Sequence, residues 1–265
     1  MNRIIVFALM FFCMTMQIEA QTLSEQEVTA KMYQAFELNK AAKKAEALEL
    51  FLIVGENTKQ QRNEGERQVY VCSQTMACQC YELLGRYKEG YLLGKSLLQG
   101  KLNDTERKDV GHLYAMNGYM YACEFIQRDE KGRADYKRGR ELISEILPYS
   151  DGQVKEYAET KIPLSWYFEG AQYAMTQSYD EALSSYEEAL NGFRDLGRVS
   201  EEVDVLSGIA SVKAHLCKFD EAKRVYYQAF VLAHQNGKVN KQMDVLRELW
   251  SLGNSTGDMK LIRSA

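Results

Sequence analysis

The chain has 265 residues, 46% of them apolar, with 33 basic against 37 acidic side chains and a net charge of −4. That apolar content excludes an intrinsically disordered chain. Charges of both signs are interspersed with no basic block or basic–aromatic stripe, which gives no footing to nucleic-acid binding.

The first twenty residues differ from the rest. Met1-Asn2-Arg3 makes a short positive start, Ile4 to Met16 is apolar apart from Thr15, and Ala20 offers a small residue before Gln21. This is the three-part pattern of a secretory signal peptide. The apolar run of about 13 residues is short for a bilayer span, which needs roughly 17–25. Residues 1–20 are therefore expected to be a signal cleaved after Ala20, leaving 21–265 as the folded domain in the periplasm or outside the cell. Phe11 and Phe12 precede Cys13 where a lipobox needs small residues, so lipidation is not expected. No later segment reads as a membrane span. Loss of Cys13 leaves Cys72, Cys78, Cys80, Cys123 and Cys217. An odd count in an oxidising compartment cannot form a complete internal disulfide framework, and the plainer expectation is small buried packing residues.

From there a pattern recurs. It is faint at first, with Ala35, Ala47 and Phe51 flanking a glycine-free turn at Ala41 to Lys44. Next come Tyr81, Gly85, Tyr87 and Gly90, with Cys78 at the close-contact position. Tyr114, Gly118 and Tyr121 follow, then, after a longer connection, Tyr136, Gly139, Ile143 and Ile146, ended by Pro148. The clearest segment is Trp166 to Leu190, carrying Trp166, Gly170, Tyr173, Tyr179, Ala182, Tyr186 and Ala189. Leu206, Ala210, Phe219, Ala222, Tyr226 and Ala229 repeat it, with Lys213 for the tyrosine and Cys217 for the turn glycine. Leu246, Gly257, Asp258 and Met259 read as the first helix and turn of a sixth unit, with only Lys260 to Ala265 left for its second helix.

The segment Trp166–Leu190 resembles a tetratricopeptide (TPR) repeat, W-x2-L-G-x2-Y followed by A-x3-F; only Glu169 departs, at the Leu position, and Tyr186 stands for Phe. The resemblance runs over roughly residues 24–262. It implies an all-α, right-handed superhelical solenoid of antiparallel helix pairs, about five and a half repeats. Gly170 and Ala182 should sit where the helices of a pair approach closely, with Trp166, Tyr173 and Tyr186 filling the space toward the next pair. Counted from the residue expected just before each second helix (Lys44, Tyr87, Tyr136, Tyr179, Phe219 and Met259), the spacings are 43, 49, 43, 40 and 40. Ordinary repeats run about 34 residues, so longer helices are expected, with extra turns in segments such as Asn191–Asp204.

Motifs for chemistry are absent from the sequence. His112, His215 and His234 lack an i+4 metal-ligand partner, and Cys78-x-Cys80 places two thiols on opposite sides of a helix. No nucleophile elbow, phosphate loop or dinucleotide fingerprint occurs, so neither an enzyme nor a cofactor or metal is expected. The resemblance instead implies a protein- or peptide-binding scaffold whose first helices line a concave groove. The groove positions carried over are Gln79, Glu82, Tyr119, Tyr167, Ala171, Met175, Ser211 and His215; Tyr119 and Tyr167 read equally as core residues. The basic clamp that some TPR domains use for C-terminal carboxylates is not evident. The alternative, from similarity to exported TPR regions of histidine kinases and regulators, is the ligand-sensing module of a truncated or split two-component protein.

Overall fold

The structure, a computed structural model, describes residues 23–127 and 134–257. The expected signal at residues 1–20, and Asp258 onward in the sixth unit, lie outside the described residues. Among the described residues there is no strand, and the elements are α1 Glu25–Lys40, α2 Lys44–Thr58, α3 Glu64–Leu83, α4 Tyr87–Leu98, α5 Asp104–Ile126, α6 Tyr136–Ile146, a 3-10 turn at Leu147–Tyr149, α7 Gly152–Met175, α8 Tyr179–Asp195, α9 Val199–His215, α10 Phe219–Gln235 and α11 Val239–Thr256. None of these helices is long and apolar enough to cross a membrane. The chain divides into two compact units, Met1–Tyr114 and Ala115–Ala265.

Helix starts follow from local chemistry. Ser24 forms a capping box with Glu27 at the head of α1. Asn63 Oδ1 accepts from the Glu66 amide at α3, and Asn103 and Glu106 exchange reciprocal bonds of 2.9 Å at α5. Each satisfies amide donors that have no partner inside the helix.

Six inter-helix turns share one device. The amides of Lys43, Arg86, Ser178, Arg198, Lys218 and Lys238 each donate to the carbonyl five residues back, all at 2.9 Å. This is the Schellman closure, which needs a left-handed residue just before the donor. Gly85, Gly197 and Gly237 supply it in three turns, and Ala42, Gln177 and Cys217 do so with φ of 60°, 62° and 58° in the others. Lys44, Tyr87, Tyr136, Tyr179 and Phe219 prove to be the first residues of their second helices, which begin one place earlier than the sequence implied. Gly85, expected at a packing contact, is a turn residue with open space where a Cβ would go.

Packing in the second unit centres on aromatic rings seated against glycines. A Cβ on Gly170 would stand 2.8 Å from Tyr186 Cδ1, and one on Gly208 2.9 Å from Tyr186 Cζ. The α8 ring therefore lies against both α7 and α9, as the expected forward packing of Tyr186 requires. Ala182, Ala189, Ala210, Ala222 and Ala229 are fully buried, and Tyr226 nearly so. Gly118 is buried, while Tyr121 is half-buried and edge-on to Phe125 at 5.1 Å. In the first unit Tyr81 is buried, Tyr87 is half-buried, and Tyr114 stacks on Tyr91 at 5.3 Å beside Gly94. The antiparallel pairs α1/α2, α3/α4, α7/α8 and α9/α10 are thus of the tetratricopeptide type, with small residues and rings at their crossings.

One expectation needs correcting. Phe219, placed among the packing residues, is 42% exposed; as the first residue of α10 it has helix on one side only. Trp166 packs on the unit's core as expected and also meets the preceding pair, with the Arg140 guanidinium of α6 lying 3.4 Å from its ring centroid. Arg140 Nη2 also donates to Glu169 Oε2 at 2.8 Å, and its Nη1 to Ser165 Oγ at 3.3 Å. Glu169, the one departure from the repeat pattern, is therefore the partner of a largely buried arginine. A second irregularity is Pro163, buried inside α7, with its ring against the position of a Gly192 Cβ.

Candidate functional site

In the second unit, α7, α9 and α11 pack as successive first helices, and their accessible faces differ in chemistry. On α7, Tyr157, Phe168 and Met175 are spaced by eleven and seven residues, which places them within about 20° of one another around the helix. All three are exposed, Met175 by 74%. On α9 the adjoining stripe is Asp204, Ser207, Ser211 and His215. On α11, Lys241 and Glu248 stand next to it.

These stripes are joined by specific contacts. Lys241 Nζ reaches both Asp204 oxygens at 2.6 Å. Tyr167, half-buried, meets Tyr186 at 5.8 Å and Phe168 at 5.6 Å between ring centroids. Burial, then the nearby Asp204 charge, holds its phenol above the usual range. The Tyr226 hydroxyl is bonded to Ser211 and Glu248, and burial raises it well above the ordinary phenol value. Tyr186 is pushed up to about 12, by burial and by Tyr167. These phenols stay protonated at neutral pH, and that of Tyr226 donates to the Glu248 carboxylate.

Of the expected groove residues, Tyr167, Ala171, Met175, Ser211 and His215 fall in this region. Tyr167 is both core and face, because one edge packs on Tyr186. Ala171 is half-buried, and His215 stacks on Tyr179 at 6.0 Å. Tyr119 of α5 stacks on Tyr157 at 6.3 Å, is bonded to Cys123, and is raised by burial. Tyr173, half-buried, packs on the unit's core. Gln79 and Glu82 belong to the first unit. Gln79 is exposed, and burial raises the Glu82 carboxyl against the opposing pull of His112. Tyr157, Phe168, Lys241 and Glu248 escape a reading based on repeat positions, because those positions mark packing. The spacing of Tyr157, Phe168 and Met175 on one helix face is the signal that would have found three of the face's residues.

The buried thiols are inert: desolvation pushes Cys78 up to about 12 and raises Cys123. Among the described residues no group of three His, Cys, Asp or Glu side chains is placed to hold a metal.

The fold defines an all-helical, TPR-type repeat protein. Among solved structures, the apo form of RapI is 15% identical over 90% of this chain and 81% of its own, with a TM-score of 0.35. A TPR protein of Thermus thermophilus is 15% identical over 82% and 96%, at 0.32. A putative kinesin light chain of Podospora anserina with TPR-like repeats is 14% identical over 80% and 97%, at 0.33. No protein-family model and no curated relative matches the chain. At such TM-scores the class rests on the helix pairs themselves.

Proposed function

We propose that the second unit holds a segment of a protein partner on the face of α7, α9 and α11, and that the chain works as an exported interaction scaffold. The observation that carries this is the exposed Tyr157–Phe168–Met175 stripe beside a polar α9. Exposed aromatic and thioether side chains in one line supply large contact area with adaptable fit. The serines of α9, with the Lys241–Asp204 pair beyond them, offer polar contacts that fix register. The face is built on packed helices, so little ordering entropy is lost on binding. Export is supported by the pattern of residues 1–20.

The test is capture from envelope extract with the chain as bait, identifying what is retained. Phe168→Ser and Met175→Ser each remove exposed apolar surface without touching the core. Both should reduce capture by about tenfold or more, as loss of a contact worth about 1.4 kcal/mol does, with the helical circular-dichroism signal unchanged. Retention by both variants equal to wild type would remove this face as the binding site.

A further inference from the structure

The α7 stripe carries a charge with no counter-charge among the described residues. In the second unit Arg140, Lys213 and Lys241 are half-buried cations, and each is held by a carboxylate, of Glu169, Glu221 and Asp204, at 2.8, 2.7 and 2.6 Å. Lys161 of α7 is half-buried too, yet among the described residues no ion pair reaches it. Its neighbours one turn away on the helix, Tyr157, Ala158, Leu164 and Ser165, are all uncharged. Across on α5 stand Tyr119 and Cys123, bonded to each other. Burial raises the Cys123 thiol, with the Lys161 charge the leading opposing influence, and the thiol stays neutral at neutral pH. Glu124, exposed on α5, also acts on that thiol but makes no ion pair with Lys161. A cation half withdrawn from water against neutral groups keeps part of its desolvation cost uncompensated. A carboxylate brought by a partner offsets it.

Lys161 belongs to the stripe itself. It follows Tyr157 by four residues and precedes Phe168 by seven, so it stands within about 40° of both around the helix. Along the axis, Phe168 is about 10 Å further on. An extended segment spans that separation with about three residues. Elsewhere on the face the charges are already engaged, Lys241 by Asp204 and Glu248 by the Tyr226 hydroxyl. An extended segment also suits the flank. Its open backbone N–H and C=O groups need partners, and Ser207 and Ser211 of α9 offer hydroxyls beside α7; a helix has already satisfied its own.

We infer that the occupant of the α7 face is an extended acidic–apolar segment of a protein partner, in which an aspartate or glutamate seats on Lys161 and an apolar side chain about three residues away seats on Phe168. This rests on the reading of that face as the partner site and adds the chemistry of what it takes.

The experiment is selection from a displayed library of random linear peptides, fused through their C-termini so that every acid counted is a side chain, with the purified full-length chain as target. Enrichment of Asp or Glu at that spacing from Phe, Leu or Met is expected, by about fivefold over the starting library, the size of one half-exposed ion pair. Lys161→Met keeps the packing of the aliphatic stem and should lose the acid enrichment while retaining the apolar one. Lys161→Glu should replace the acid with Lys or Arg, and the helical circular-dichroism signal should be unchanged in both variants. Peptides that depend on Phe168 but carry no acid, or carry it equally for Lys161→Met, overturn the inference and leave the face standing as a binding site. An acid about seven residues from the apolar side chain, the helical spacing, also overturns it. Peptides indifferent to Phe168→Ser, or no enrichment at all, remove the face and this inference together.

Discussion

Ala42, Gln177 and Cys217 adopt a backbone conformation that costs an L-residue about 1 kcal/mol relative to glycine. They do so because each sits at a turn whose Schellman bond is closed at 2.9 Å by the next residue. Replacing any one with glycine should raise stability by about that amount, less a few tenths for the freer unfolded chain. Thermal or urea unfolding of Cys217→Gly checks this, and a loss of stability would mean that the side chain makes contacts the turn geometry does not reveal. The same scale explains Glu169. It departs from the repeat pattern because Arg140 stacks on Trp166 and needs an anion, which Glu169 provides at 2.8 Å. Restoring the pattern with Glu169→Leu should destabilise the chain by about 1–2 kcal/mol, short of a fully buried pair because both side chains keep some solvent. Adding Arg140→Met should recover most of the loss, read from the midpoint of urea unfolding. A position that looks degenerate in sequence is thus an ion-pair position whose partner lies 29 residues away.

At the scale of elements, helix crossings decide what the chain tolerates. The Tyr186 ring is held between Gly170 and Gly208, so it cannot move aside. Gly170→Ala gains about 1 kcal/mol of helix propensity but forces an overlap that costs about 1–3. A net loss of about 1 kcal/mol is expected, relieved in a Gly170→Ala, Tyr186→Leu double-mutant cycle. In the first unit, Arg67 joins the starts of α3 and α5. It donates to Glu64 and to Glu106, at 2.7 and 2.8 Å. Its hydrogen bonds hold both carboxyls below their ordinary value of 4.5. Since the folded carboxyls are the stronger acids, this clamp contributes fully above about pH 4.5 and fades as pH falls through the lower folded values. Arg67→Met should therefore lower stability at neutral pH and flatten the acid limb of the stability curve between about pH 5 and 3. Unchanged steepness in that window would show that the clamp contributes nothing. That clamp was not legible in sequence, because Arg67 and Glu106 are 39 residues apart and no repeat position marks them.

Across the whole molecule, the periodic features were the legible ones. The second helices at Lys44, Tyr87, Tyr179 and Phe219 start one residue from where spacing put them, because a left-handed turn residue and a small crossing residue recur in fixed phase, whatever the side chain at the turn. Trp166–Leu190 could be read because its rings and small residues each have one place to go. The proposed face was only half legible. Tyr167, Met175, Ser211 and His215 stand at positions the repeat frame names, whereas Tyr157 and Phe168, which meet Tyr119 and Tyr167, hold no repeat position. The outward face of a helix is free of the crossing constraints, so its composition reports on what it meets and leaves no signature of the fold. Pro163 likewise reads as a helix breaker and sits inside α7, where its ring packs against Gly192. Partner capture is proposed for the face of α7, α9 and α11. Its most direct test places a photo-crosslinking phenylalanine analogue at Phe168 or Met175, and as controls at Glu187 or Glu188 on the exposed side of α8, in cells. Adducts of one defined mass at Phe168 and Met175, with none at Glu187 or Glu188, are predicted; adducts at the α8 positions alone would contradict the account.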